Sequence, residues 1–87
     1  MKTLVLKTPI RHGEEEITSV EVREPTAKDI RKIGFPFTGG TDISGQKIFD
    51  YAVELVGLPP SVIGQMSARD FTEISGIIAN FFIDSGD

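Results

Sequence analysis

The chain has 87 residues, of which 9 are Lys or Arg and 13 are Asp or Glu, so its formal net charge is −4. A chain of this length is expected to form one domain, residues 1–87, with one modest core and little room for a catalytic cleft. The acidic balance, without a basic cluster, argues against direct binding to nucleic acid or to anionic membranes. Cysteine is absent, which excludes disulfides, and no apolar stretch reaches the length of a membrane span. We therefore expect a cytoplasmic protein that is not an enzyme.

Residues 1–24 are predicted to form a β-hairpin, because apolar and polar side chains alternate along two short runs that flank a turn at Gly13. The apolar faces are formed by Leu4, Leu6 and Ile10 on the first strand and by Val20 and Val22 on the second. Ile17 falls out of phase with the second strand, which predicts a β-bulge near Thr18 or Ser19. A hairpin with one apolar face needs further elements to cover it.

The outer side of the first strand carries Thr3, Val5 and Lys7. One interpretation is that this strand pairs at its edge with another chain. The alternative is a guarded edge, since Lys2 and Lys7 place charge where a second strand would dock.

Residues 25–87 are predicted to be helical. Two Ser/Thr-x-x-Asp patterns, Thr26 to Asp29 and Ser67 to Asp70, are typical of helix starts. With the glycines and prolines that end helices, they predict helices over 27–33, 44–56 and 68–83, with a short turn of helix from Pro60 and a loop over 34–42. The predicted class is α+β, an N-terminal β-hairpin packed on three to four short α-helices.

No group of residues in the sequence matches a catalytic site. His12, the single histidine, lies in the predicted turn beside the acidic residues 14–16 and is interpreted as solvated. Adjacent strand residues point to opposite faces, so this acidic run does not converge on one ion. Asp42-Ile43-Ser44 before a helix is faintly similar to the prosthetic-group serine of acyl carrier proteins, although the Asp-Ser-Leu order is absent. A carrier protein is thus a minor alternative, and we expect no catalytic, cofactor-binding or metal-binding residues and no cofactor.

Five apolar residues are candidates for binding a partner polypeptide: Phe35, Phe37, Phe81, Phe82 and Ile83. The two loop phenylalanines flank a proline, and they either plug a small core or stand out as contacts for a partner. The pair at the end of the last helix borders the predicted buried arc and has the same two interpretations. Ile83 points to another face of that helix and is predicted to be the most exposed of the apolar residues there.

Four motifs occur in register along the chain. They are Leu-Lys-Thr-Pro-Ile at 6–10, Arg-Glu-Pro-Thr-Ala-Lys-Asp at 23–29, Gly-Leu-Pro-Pro at 57–60, and a last helix from Asp-Phe at 70–71 to Phe-Phe at 81–82. In this order they resemble the small tail assembly chaperones of contractile-tailed phages and prophages of the Mu-like and P2-like type. The loop at 35–40 has no counterpart in that pattern.

The resemblance implies a chaperone that binds the tape measure protein, keeps it soluble, helps recruit tail tube subunits and is absent from the finished virion. It also implies a location in the host bacterial cytoplasm, a longer form made by ribosomal frameshifting, and the possibility of self-association. The alternative that the residues leave open is a small interaction adaptor or regulatory subunit unrelated to tails.

Overall fold

The computed structural model of the protein describes residues 1–37 and 44–83. The strands are β1 (Lys2–His12) and β2 (Glu15–Val22), and the helices are α1 (Ala27–Ile33), α2 (Gly45–Val56), α3 (Pro60–Ile63) and α4 (Ala68–Ile83). This N-terminal hairpin followed by four helices confirms the predicted α+β class. The predicted loop at 34–42 is described as far as Phe37, and the rest of it lies outside the described residues.

The β-hairpin turns at Gly13, which takes a φ of 68°. This left-handed value is accessible to glycine at low cost and allows a two-residue connection between His12 and Glu15. The two strands pair in antiparallel fashion and form a two-stranded sheet.

The register of the hairpin is interrupted near Thr18, and the extra residues lie in the first strand. Val5 pairs with Ser19 and Ile10 pairs with Ile17, so residues 6–9 of β1 face the single Thr18 of β2. The irregularity therefore lies at Thr18, near the predicted position, and the extra residues belong to β1. Tertiary contacts and a proline explain the shift, since Pro9 has no N–H and the N–H groups at 7 and 8 are taken by α4.

The hydrophobic core lies between the inner face of the hairpin and α2, α3 and α4. The five predicted inward residues of the strands are all buried. The helical residues buried against them are Ile48, Tyr51, Ala52, Leu55, Val62, Ile63, Ile74 and Ile78. Since the hairpin and the helices share this core, the first and last thirds of the chain fold against each other.

Candidate partner-binding surface

The ring of Phe82, near the end of α4, is the meeting point of three other aromatic rings. Its centroid lies 6.3 Å from that of Phe35, 6.2 Å from that of Phe37 and 5.2 Å from that of Tyr51. The interplanar angles of 72°, 88° and 73° make all three contacts edge-to-face, which the charge distribution of aromatic rings favours. We call Phe35, Phe37 and Phe82 the aromatic cluster, and Tyr51 supports it from below.

The segment that follows α1 is fixed by side chains of α2. The Tyr51 hydroxyl donates to the carbonyl oxygen of Gly34 at 2.6 Å, and the Lys47 ammonium donates to that of Ile33 at 3.0 Å. Pro36, between the two phenylalanines, is fully buried. The backbone on both sides of Phe35 is therefore held in place, by hydrogen bonds before it and by the buried Pro36 after it.

The members of the aromatic cluster differ in exposure. Phe35 is 59% exposed, whereas Phe37 and Phe82 are half-buried. The sequence offered two interpretations of the loop phenylalanines, a plug for the core or exposed contacts for a partner, and neither applies to both rings. Pro36 occupies the core instead, Phe35 is exposed, and Phe37 packs against Phe82. The result is a fixed aromatic projection above a partly covered apolar base.

The two remaining candidate residues lie on the same helix end. Phe81 is half-buried and packs partly against the core, while Ile83 is 66% exposed, as its helical position predicts. Ile83 is the residue after Phe82 in the sequence. The last residue of α4 is therefore an exposed aliphatic side chain. Three of the five candidates are thus in mutual contact through Phe82, and the other two flank that ring along the chain.

Asp70 ties the start of α4 to the middle of β1. Its buried carboxylate accepts the backbone N–H groups of Lys7 and Thr8 at 3.0 Å, while its own N–H donates to the Ser67 hydroxyl at 3.1 Å. The bonds from Lys7 and Thr8 favour the charged form and lower the pKa of Asp70 below its usual 3.8. The predicted helix start is confirmed on the serine side, but the aspartate bonds to the sheet instead of its own helix.

Asp29 joins α1 to the end of the hairpin. The Arg23 guanidinium donates to both of its carboxylate oxygens, at 2.9 and 3.0 Å, and the Thr26 N–H donates at 2.8 Å. The hydrogen bond from Arg23 holds the pKa of Asp29 well below its usual range. The capping box predicted from Thr26 to Asp29 is confirmed. The burial of Asp29 and Asp70 therefore has a structural explanation.

Acidification is expected to destabilise the protein through these two carboxylates. A group whose pKa is lower in the folded than in the unfolded chain contributes stability above its unfolded pKa and loses it as pH falls through the folded value. The free energy of unfolding should therefore be steady above about pH 5 and decline steeply from about pH 4 downward. Urea unfolding at pH 7, 5, 4 and 3 measures this decline. Asp29→Asn and Asp70→Asn should each be less stable at pH 7 and lose less on acidification, and equal slopes for all three proteins would contradict the assignment.

Other candidate chemistries find no assembled site in the part of the chain that the structure describes. Across 1–37 and 44–83, no three His, Cys, Asp or Glu side chains are grouped to hold a metal ion. No helix within those ranges has the length and apolarity to cross a membrane. His12 is exposed at the tip of the hairpin. Ser44 caps α2 by accepting the Lys47 N–H at 3.3 Å, and the adjoining Asp42 and Ile43 lie outside the described residues.

Sequence reasoning missed two residues that organise this surface and its surroundings. Tyr51 lies on the buried side of α2, and its phenol both contacts Phe82 and donates a hydrogen bond to the Gly34 carbonyl oxygen. Treating tyrosine as an amphipathic core residue at helical spacing from Ile48 and Leu55 would have found it. Gln65 had no sequence signal, because its amide bonds the backbone of β1 across 54 positions of the chain.

The fold and the surface define a small α+β protein with an exposed aromatic side chain, in which the buried carboxylates of Asp29 and Asp70 are hydrogen-bonded within the fold. A family model described as phage tail assembly chaperone proteins, E, or 41 or 14, matches residues 3–83. Because the match spans nearly the whole chain, this protein belongs to that family of phage tail assembly chaperones, and the resemblance seen in its four motifs is confirmed. No curated protein and no solved structure matches the chain.

Proposed function

We propose that this chaperone binds the tape measure protein of its phage, promotes assembly of the tail tube around it and is released before the virion is complete. The observation that carries the proposal is the family match over residues 3–83. The role is non-catalytic and is performed by one domain in the host bacterial cytoplasm. A longer frameshifted form and self-association, which the family resemblance implies, belong to the same proposal.

The proposed binding surface consists of the aromatic cluster with Phe81 and Ile83. A tape measure protein is a long, helix-rich chain whose apolar stripes need cover before the tube encloses them. Aromatic side chains carry a large share of binding energy at protein interfaces, and a ring on a fixed backbone loses little conformational freedom on binding. The exposed Phe35 above the half-buried Phe37 and Phe82 suits the apolar stripe of an amphipathic helix.

Affinity purification of the tagged protein from infected or induced cells tests the proposal. The tape measure protein should be the main phage-encoded polypeptide recovered, and its soluble fraction should rise when the two are expressed together. A folded bait that recovers tail tube subunits without the tape measure protein would contradict the proposed partner while leaving the family assignment intact.

The second candidate function is an interaction adaptor or regulatory subunit that acts outside tail assembly. The exposed aromatic surface suits any polypeptide partner and is the observation that favours it. The gene that follows this one separates the two candidates, because a long reading frame rich in coiled-coil heptads favours the chaperone for a tape measure protein.

A further inference from the structure

The two outer edges of the hairpin are covered to different extents. On β1, Asp70 takes the N–H groups of Lys7 and Thr8. The Gln65 side-chain amide pairs with Arg11 much as a neighbouring strand would, accepting from its N–H and donating to its C=O, both at 2.8 Å. Side chains of the helical part therefore occupy the edge of β1 from residue 7 to residue 11. This half of β1 is therefore closed to a further strand. It includes Lys7, one of the three residues of the first strand that the sequence offered for pairing with another chain.

The outer edge of β2 lacks such cover. Among the residues described, no backbone hydrogen bond from another element reaches residues 15–22, and the first one beyond them joins the Arg23 N–H to the Leu55 carbonyl oxygen at 3.3 Å. In an antiparallel pair, alternate residues direct their N–H and C=O groups away from the partner strand. β2 therefore carries a row of backbone donors and acceptors that can pair with an added strand.

A shallow groove of about 300 Å³ follows this edge. Its apolar lining includes Ile17 on β2, Val56 at the end of α2 and Leu58 two residues beyond, all three half-buried. Its acidic lining comes from Glu15 and Glu21, which are exposed. A strand laid along β2 would thus find apolar contacts for some of its side chains and carboxylates for others.

The charge of the edge selects among possible occupants. Two copies of this chain paired through β2 would bring Glu15, Glu16 and Glu21 close to the same residues of the other copy, and like charges across paired strands are destabilising. A segment that alternates Lys or Arg with β-branched residues would instead offer its cations to the exposed Glu15 and Glu21 of the groove and its apolar side chains to Val56 and Leu58. We propose that β2 binds an extended segment of this kind from another polypeptide by strand addition. The site shares no residue with the aromatic cluster and does not depend on the tape measure assignment.

The test uses a blocked heptapeptide of alternating lysine and valine and the isotope-labelled full chain. Chemical shift changes in NMR spectra should concentrate at residues 15–22 and 56–58. Two further peptides are N-methylated at the odd or at the even positions, so one of them loses the N–H groups that face β2. That peptide should bind at least about tenfold more weakly than the other. Equal binding by both, or changes centred elsewhere, would overturn the proposal.

A charge swap with a matched control completes the test. Glu15→Lys with Glu21→Lys should weaken peptide binding at least about tenfold, whereas Glu24→Lys with Glu73→Lys, the same change in net charge at exposed sites off the edge, should change it less than about threefold. Equal losses in both variants would reduce the effect to overall charge and refute the site. Concentration-dependent shifts at 15–22 without peptide would assign the edge to a second copy and also refute it.

Discussion

Replacing Phe35 by serine is expected to weaken binding to the tape measure protein by at least about tenfold. The ring is 59% exposed and stands on backbone held by Tyr51, Lys47 and the buried Pro36, so its removal deletes contact area without opening the core. The melting temperature should therefore change by less than about 3 °C. Isothermal titration with a tape measure fragment and thermal unfolding by circular dichroism measure the two effects.

Val5→Ser is the matched control for this experiment. Val5 is 71% exposed and lies on β1, so the change removes a comparably exposed apolar side chain away from the aromatic cluster. Binding should be unchanged within about twofold. If Val5→Ser weakens binding as much as Phe35→Ser, the effect is one of general hydrophobicity and the aromatic cluster is not the binding surface. Adding Phe37→Ser should lower both affinity and melting temperature, because that ring is half-buried against Phe82.

Asp70→Ala is expected to lower the melting temperature by roughly 10 °C. The change leaves the N–H groups of Lys7 and Thr8 without their acceptor in a part-buried site. It also removes the hydrogen bonds that link α4 to the interrupted stretch of β1, where residues 6–9 have a single opposing residue in β2. Thermal unfolding at pH 7 measures the loss.

Glu73→Ala is the control on the same helix, since Glu73 is exposed one turn further on. It should shift the melting temperature by less than about 3 °C. Hydrogen exchange adds a local readout, because the amides of Lys7 and Thr8 should exchange faster in Asp70→Ala than in the control. A melting temperature within the control range for Asp70→Ala would show that water replaces the carboxylate without cost.

Local signals in the sequence predicted most of the secondary structure. α1 and α4 begin and end at the predicted residues, and α2 differs by one residue because Ser44 caps the helix from outside it. Caps and stops act within one turn of the chain, so hydroxyl residues before each start and glycines after α1 and α2 are sufficient to locate these boundaries. Alternation likewise predicted the buried face of the hairpin, because the pleat requires it.

The sequence failed where a local pattern had a distant partner. Ser67 and Asp70 look like a second capping box, but the Asp70 carboxylate accepts from the backbone of β1, in the stretch where the hairpin register is interrupted. Gln65 covers the edge of β1 near Arg11 through a contact that no short-range spacing encodes. The binding of a partner by the aromatic cluster remains a prediction, although the sequence did single out its three members.

By itself, the sequence determined the α+β class, the helix limits, the inward face of the hairpin and, through four motifs in register, the chaperone family. The tertiary structure alone decided that Phe35 and Phe37 meet Phe82, that the edge of β1 is covered from residue 7 to residue 11, and that no backbone hydrogen bond from another described element reaches β2. The physical reason is the range of the interactions involved. Capping and amphipathic periodicity operate over a few residues, whereas side-chain acceptors such as Asp70 and Gln65 select their backbone partners only after the core has brought β1 and α4 together.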